Sequence, residues 1–439
     1  NMGNTFVTYV AGRGFVPLLT AEYSTYATAA STDNVRESLT ADATGLAGVT
    51  LNSLVIHNDN TAASAINITG SGAGQTLTNT SGAFLFTLNP TAAASSAHTV
   101  NVSGFDGGVA IGTTGEYVMN VINPSAAATT PTLAVTIASP LVTGAHIVKS
   151  GRGALILSGT NTAGGGAFRT VINEGVLEIS ALSNIGGNSG QILLAGGTLR
   201  LGSTLTDDIS QRAIVFQLGG GTIDTNGVNL ALAGSVGSGA GSFTKAGAGT
   251  LTLNATSTYT GSTNVNGGTL AIGVSNAISS GALNVNGGGT LDLGANSISV
   301  GLVTTAGASP VIAGAGTITS SAGFLLNHTG DTDIPSVLAG NVGLFKAQTN
   351  TVTLSGANTF TGPVEVQAGA IAVATMGNVG DLSGPLGAQA DAFNAMIRLG
   401  SATTTGAITY TGAGETSNRL IGLNGSTGGG TVNANGTGA

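Results

Sequence analysis

KAGAGTLTLNATSTYTGSTNVNGGTLAIG, residues 245–273, holds the pattern that decides the fold. Its two apolar runs, TLTL at 250–253 and TLAI at 269–272, alternate with period 2, so every second side chain faces the same way. Thr, Leu and Ile at such positions favour strands. The dipeptide Asn266-Gly267 interrupts the alternation, as Asn226-Gly227 and Asn286-Gly287 do elsewhere, and marks a corner. Glycine supplies the positive φ that corners demand. No long 3.6-residue periodicity competes with this reading.

The stretch recurs. Lys149 opens KSGRGALILSG, Lys245 opens KAGAGTLTLNA and Lys346 opens KAQTNTVTLSG, at spacings of 96 and 101 residues. These are the chain's three lysines. A shorter period lies inside the long one. Leu155, Leu177 and Leu199 are spaced by 22, Leu251, Leu270 and Leu291 by 19 and 21, and Val352 and Ile371 by 19. NVNGGTLAIG at 264–273 returns as NVNGGGTLDLG at 284–294. A period of about 20–25 residues signals a solenoid, and the period-2 runs make it a β-solenoid. One coil cannot bury its apolar face alone, so stability must come from stacking on neighbours. The sequence predicts an all-β, parallel β-helix of roughly 18 turns, with Leu, Ile and Val inside and amide ladders such as Asn266 over Asn286.

Composition agrees and excludes alternatives. The chain has 439 residues, 73 of them Gly, with 7 % charged residues and no Cys. Charge-driven disorder is excluded by the scarcity of charge and a 41 % hydrophobic content. Collagen is excluded because glycine does not recur every third residue. A disulfide scaffold or cysteine metal site is excluded outright. The net charge of −8 comes with no basic stripe, so nucleic acid is not an expected partner. No apolar run is long enough for a transmembrane helix.

Three segments are expected. Residues 1–40 carry Phe6, Tyr9, Phe15, Tyr23 and Tyr26 but no repeat phrase, and fit a cap or a subunit-pairing segment for an open sheet edge. Residues 41–147 are expected to form irregular coils. Residues 148–439 form the repeat region, with long repeats starting near Lys149, Lys245 and Lys346. GGGTVNANG at 428–436 repeats GGGTIDTNG at 219–227, so the coil is expected to continue past residue 439 or to be capped in trans.

The ordered phrase K-x-G-x-G-x-L-x-L followed by T-Y-T-G-x-T-x-V-x-G-G-T-L-x-I-G resembles the autotransporter-associated β-strand repeat, also called the passenger-associated transport repeat. Residues 245–273 carry nearly all of it, and 149–179 and 346–373 carry weaker copies. Gln348 and Asn350 replace the glycines of the third copy, and TNTAGGGAF has lost the aromatic-Thr-Gly element of the first. The resemblance implies a right-handed β-helix in large bacterial surface or secreted proteins, hence an extracellular or cell-surface location, and no catalytic residues.

A search for chemistry supports that implication. His57, His98, His146 and His328 show no metal-ligand spacing and read as turn or surface residues. Asp207-Asp208 and Asp331/Asp333 read as surface turns, and Glu174 and Glu178 as a solvated face. The three lysines read as charges on solvated corners that discourage edge pairing. Sequons at Asn67, Asn79, Asn101, Asn254 and Asn327 matter only where the source glycosylates. No catalytic, cofactor-binding or metal residue is assigned, and no cofactor is expected. The function expected is a non-enzymatic structural solenoid, either a stalk or a head-to-tail fibre of identical copies. The alternative is an adhesin passenger that binds glycans or host surfaces, with Tyr9, Tyr23 and Tyr26 as candidates to stack on sugars.

Overall fold

The structure is a computed structural model. It describes residues 7–10, 14–18, 22–93, 96–111, 115–123, 132–144, 146–162, 168–186 and 190–437. Phe6 lies outside them, as do the side chains of Tyr9 and Phe15. The chain divides into two compact units, Asn1–Thr222 and Ile223–Ala439.

In the first unit the chain visits two parallel sheets alternately, which is what a coil does. One sheet stacks Asn34–Leu39, Val49–Asn58, Thr76–Leu88, Glu116–Val121, His146–Ser150, Phe168–Ile172, Gly190–Leu194 and Ala213–Phe216. The other stacks Ala43–Leu46, Ser64–Gly72, Ala97–Phe105, Thr132–Ile137, Ala154–Leu157, Val176–Ile179 and Thr198–Leu201. Near the start, Val7–Val10 and Gly14–Pro17 pair as an antiparallel hairpin.

The second unit follows the same plan with shorter strands. One sheet runs from Phe243–Ala246 through Thr263–Val265, Leu283–Val285, Val303–Gly307, Phe324–His328, Leu344–Lys346 and Val364–Val366 to Ile397–Ala402 and Ile421–Gly425, all parallel. Facing strands include Leu230–Leu232, Thr250–Leu253, Gly268–Ile272, Gly289–Asp292 and Val311–Ala313, and later Thr332–Ile334, Thr351–Leu354, Gly369–Val373, Gly406–Tyr410 and Gly430–Ala434. A short third sheet, Ile298–Val300 with Thr317–Ser320 and Val337–Ala339, closes part of the coil. This is a parallel β-solenoid, as the 20-residue period requires.

Register confirms why these residues form these strands. Leu155, Leu177 and Leu199 lie directly above one another, and so do Leu251, Leu270 and Leu291. All six are fully buried. Each column removes aliphatic surface from water along the stack, at about 1.5–3 kcal/mol per side chain. The expected amide ladder is present: Asn286 Nδ2 donates to Asn266 Oδ1 at 2.7 Å, and Asn284 to Asn264 at 2.8 Å.

Coil length is not uniform along the chain. Ala83, Val118 and Val148 are register partners on successive coils, so those coils take 35 and 30 residues. From Ile147 through Thr170 and Ile192 to Ile214 the step is 22 or 23. From Lys245 through Val265, Val285, Thr305 and Leu326 to Lys346 and Val366 it is 20 or 21. The earlier coils include longer strands, 13 residues in Thr76–Leu88 and nine in Ala97–Phe105.

Candidate functional site

The most constrained polar groups sit where the sequence alone points outward. Lys149, Lys245 and Lys346 were expected on solvated corners, yet each is 0 % exposed. The reason is alternation. Lys245 lies two residues after the inward Phe243, and Lys346 two after the inward Leu344. Each lysine occupies a core column: Lys149 is in register with Met119 and Ile172, Lys245 with Val265, and Lys346 with Leu326 and Val366.

Each ammonium is caged by oxygens. Lys245 Nζ donates to the carbonyls of Ala246 at 2.9 Å, Gly247 at 2.8 Å and Gly267 at 2.8 Å. Lys149 Nζ donates to Ser150 O at 2.8 Å, Gly151 O at 2.6 Å and Glu174 O at 3.1 Å. Lys346 Nζ donates to Gln348 O, to Asn350 Oδ1 at 2.7 Å and to Ala368 O at 3.4 Å. Here the Asn350 side chain, which departs from the phrase, supplies an oxygen itself. An ammonium has three N–H donors and no acceptor, which matches three oxygens. Burial lowers the lysine pKa to about 7 for Lys149 and about 8 for Lys245 and Lys346, opposed by Glu174, Asp224 and Asp331 respectively.

Two arginines are used similarly. Arg212 and Arg419, which precede the matching GGGT phrases, are both buried. Arg212 donates to Gly186 O at 2.6 Å. Arg419 donates to Gln389 Oε1 at 2.8 Å and to Gly387 O at 3.2 Å.

The histidines require a second correction. His57, His98 and His328 are buried inside strands rather than placed on turns or the surface. His57 Nδ1 is 2.7 Å from Thr87 Oγ1. His98 lies between Ser64 at 3.1 Å and Ser96 at 2.7 Å. His328 lies between Thr305 at 2.7 Å and Thr332 at 2.9 Å. Burial lowers all three pKa values, that of His328 to about 4 with help from Lys346. His98 and His328 each bridge two hydroxyls, whereas His57 lies between the Thr87 hydroxyl and Asp59, 3.5 Å from its Nε2. His146 is half-buried and accepts from Arg169 N at 3.0 Å.

The acids serve the backbone. Asp207 accepts from Leu182 N at 2.7 Å, and Asp208 accepts from Ser210 N at 2.9 Å at the start of a short 3-10 turn. Asp331 accepts from Thr351 N and Asp333 from the Ser355 hydroxyl, both at 2.7 Å. Glu174 pairs with Arg152 at 2.9 Å on the surface, and Glu178 lies 4.0 Å from Arg200. Among the described residues no group of three or more acids and histidines is placed to hold a metal. Of the sequons, Asn79 is buried and donates to Ala83 O at 2.8 Å. Tyr26, one of the candidate stacking aromatics, donates its hydroxyl to Ala47 O at 2.9 Å.

Two features had no sequence signal. A cavity of about 470 Å³ in the first unit lies between the sheets, lined by Leu39, Leu54, Phe84, Phe86 and Val102, with Tyr26 and Glu37 also on its wall. A lateral loop, 374–396, interrupts the second unit. It is zipped to the next corner by Val379 N to Asn418 Oδ1 at 2.7 Å and Ser417 Oγ to Gly377 O at 2.5 Å. It presents Leu382, 90 % exposed, and Phe393, 69 % exposed with the Arg398 guanidinium 4.8 Å from its ring centre.

Comparison with known proteins finds a known repeat at these positions. Residues 147–179, 243–272 and 344–373 match the passenger-associated-transport-repeat. Each match contains one caged lysine. Over 133 residues, 30 % of this chain, the sequence is 41 % identical to the adhesin BmaC autotransporter of Brucella suis biovar 1 (strain 1330). The match spans 4 % of that protein's length. No solved structure matches. The chain therefore carries three copies of the passenger-associated-transport-repeat.

Proposed function

We propose that this chain is a non-catalytic passenger region displayed outside a bacterial cell, and that it acts as the scaffold of an adhesin. The observation that carries the reading is that parallel coils in each unit bear the matched transport repeats, one in the first unit and two in the second. Among the described residues the chain's buried lysines, arginines and histidines each make hydrogen bonds within the coils. The similarity to an adhesin autotransporter favours adhesion over a purely mechanical stalk. Host-surface glycans are the proposed ligand class. Beads coated with the purified chain are expected to adhere to epithelial cells, and enzymatic removal of the cells' glycans is expected to abolish adhesion. Adherence no greater than that of beads coated with an unrelated β-solenoid would sink the reading.

A head-to-tail fibre is the second reading. On Ile421–Gly425 and Gly430–Ala434, Leu423 is 67 % and Val432 55 % exposed, although their register partners Leu399 and Ile408 are fully buried. A following coil, of a longer chain or of a second copy, would cover them. Electron microscopy of concentrated protein tests this, and dispersed particles at every concentration refute it.

A further inference from the structure

We propose that each of the three lysine corners is a binding site for a primary ammonium group, filled by the chain's own lysine and completed only by an oxygen of the following coil. The geometry repeats at three places. Two oxygens of each cage come from the lysine's own corner: Ser150 and Gly151, Ala246 and Gly247, or Gln348 and Asn350. The third comes from the next coil, from Glu174, Gly267 or Ala368. The third oxygen is thus absent from an isolated coil. A buried ammonium with one N–H unmet is costly, so the corner is stable only once its successor has docked.

The successor's corner is shaped to admit the cation. Gly175, Gly268 and Gly369 all have positive φ, at 68°, 57° and 68°. A Cβ at Gly268 would stand 3.0 Å from Lys245 Nζ and press into the carbonyls of Gly247 and Gly249. Two contacts make the coupling tight: Asn266 N donates to Lys245 O at 2.9 Å and Thr269 N to Gly249 O at 2.9 Å. Neighbouring coils in the same column carry Val265, Val285 and Thr305 instead, so the device recurs about once in five coils. It is a latch between coils, and it is independent of what the surface binds.

The test is hydrogen exchange on the full chain carrying Lys245→Ala, with and without excess methylammonium. Amides at 265–270 are expected to exchange at least about tenfold faster than in the parent, while those at 285–305 stay within about twofold. Methylammonium, which brings three N–H donors, is expected to restore protection. Tetramethylammonium, which brings none, is not. Unchanged protection at 265–270, a uniform loss across the second unit, or equal rescue by both cations overturns the proposal. Lys346→Ala is read the same way should Lys245→Ala fail to fold. Failure of both to fold even with methylammonium present also overturns it.

Discussion

The coils before Lys149 and those after it solve one problem in two ways. Between Ala83 and Val148 a coil takes 30 or 35 residues, and between Lys245 and Val366 it takes 20 or 21. The long coils bury imidazoles against hydroxyls, at His57 with Thr87 and at His98 with Ser64 and Ser96. They also leave a cavity of about 470 Å³ between the sheets. The short coils also bury an imidazole against hydroxyls, His328 with Thr305 and Thr332, and add the ammonium groups of Lys245 and Lys346, held by oxygens of two successive coils. Constant length lets a side chain in one coil count on a carbonyl in the next.

The largest expected effect contrasts two buried leucines. Leu270→Ala, in a fully packed column, is expected to cost about 3–5 kcal/mol, and Leu54→Ala, on the cavity wall, about 2 kcal/mol. Denaturant unfolding measures both, and equal costs would break the contrast. Acid comes next. The folded pKa of His328 is about 4 against 6.5 unfolded, so the unfolded chain binds the proton first. Stability is therefore lost as pH falls from about 6.5 to 4. Unfolding at stepped pH should show a shallower loss for His328→Gln, and an unchanged slope would remove His328 from the account. The amide ladders occur in both regions, at Asn101 over Asn67 and Asn286 over Asn266, at 2.9 and 2.7 Å. Asn101→Ala and Asn286→Ala are each expected to lower stability by about 1 kcal/mol. A cost confined to the short coils would extend the contrast to the surface. The smallest effect belongs to Arg152→Ala. Its pair with Glu174 is half-exposed and is expected to contribute less than about 0.5 kcal/mol.

Much of the fold was legible because two periods coincide. Alternation placed Leu155, Leu177 and Leu199 on one face, and their spacing of 22 placed them in one column. The same two periods also place Lys149, Lys245 and Lys346 inside. Residue type argued against that placement, since lysine is rarely buried, and the pattern prevailed because the corner supplies oxygens. The inward histidines were obscured in the same way. Coil lengths of 30 and 35 were illegible because no phrase recurs before Lys149. Nor did any local pattern mark 374–396, where alternation stops and Gly, Ala, Asp and Pro mingle without a period.

That lateral loop separates what the solenoid carries from what holds it up. Val364 stacks on Leu344 after 20 residues, but Ile397 stacks on Val364 only after 33. The column continues without a fault, because the excess chain leaves and returns at one corner and is pinned by Arg419 and Gln389. The corner thus houses its extra chain without changing a core position, since Ile397 still stacks on Val364.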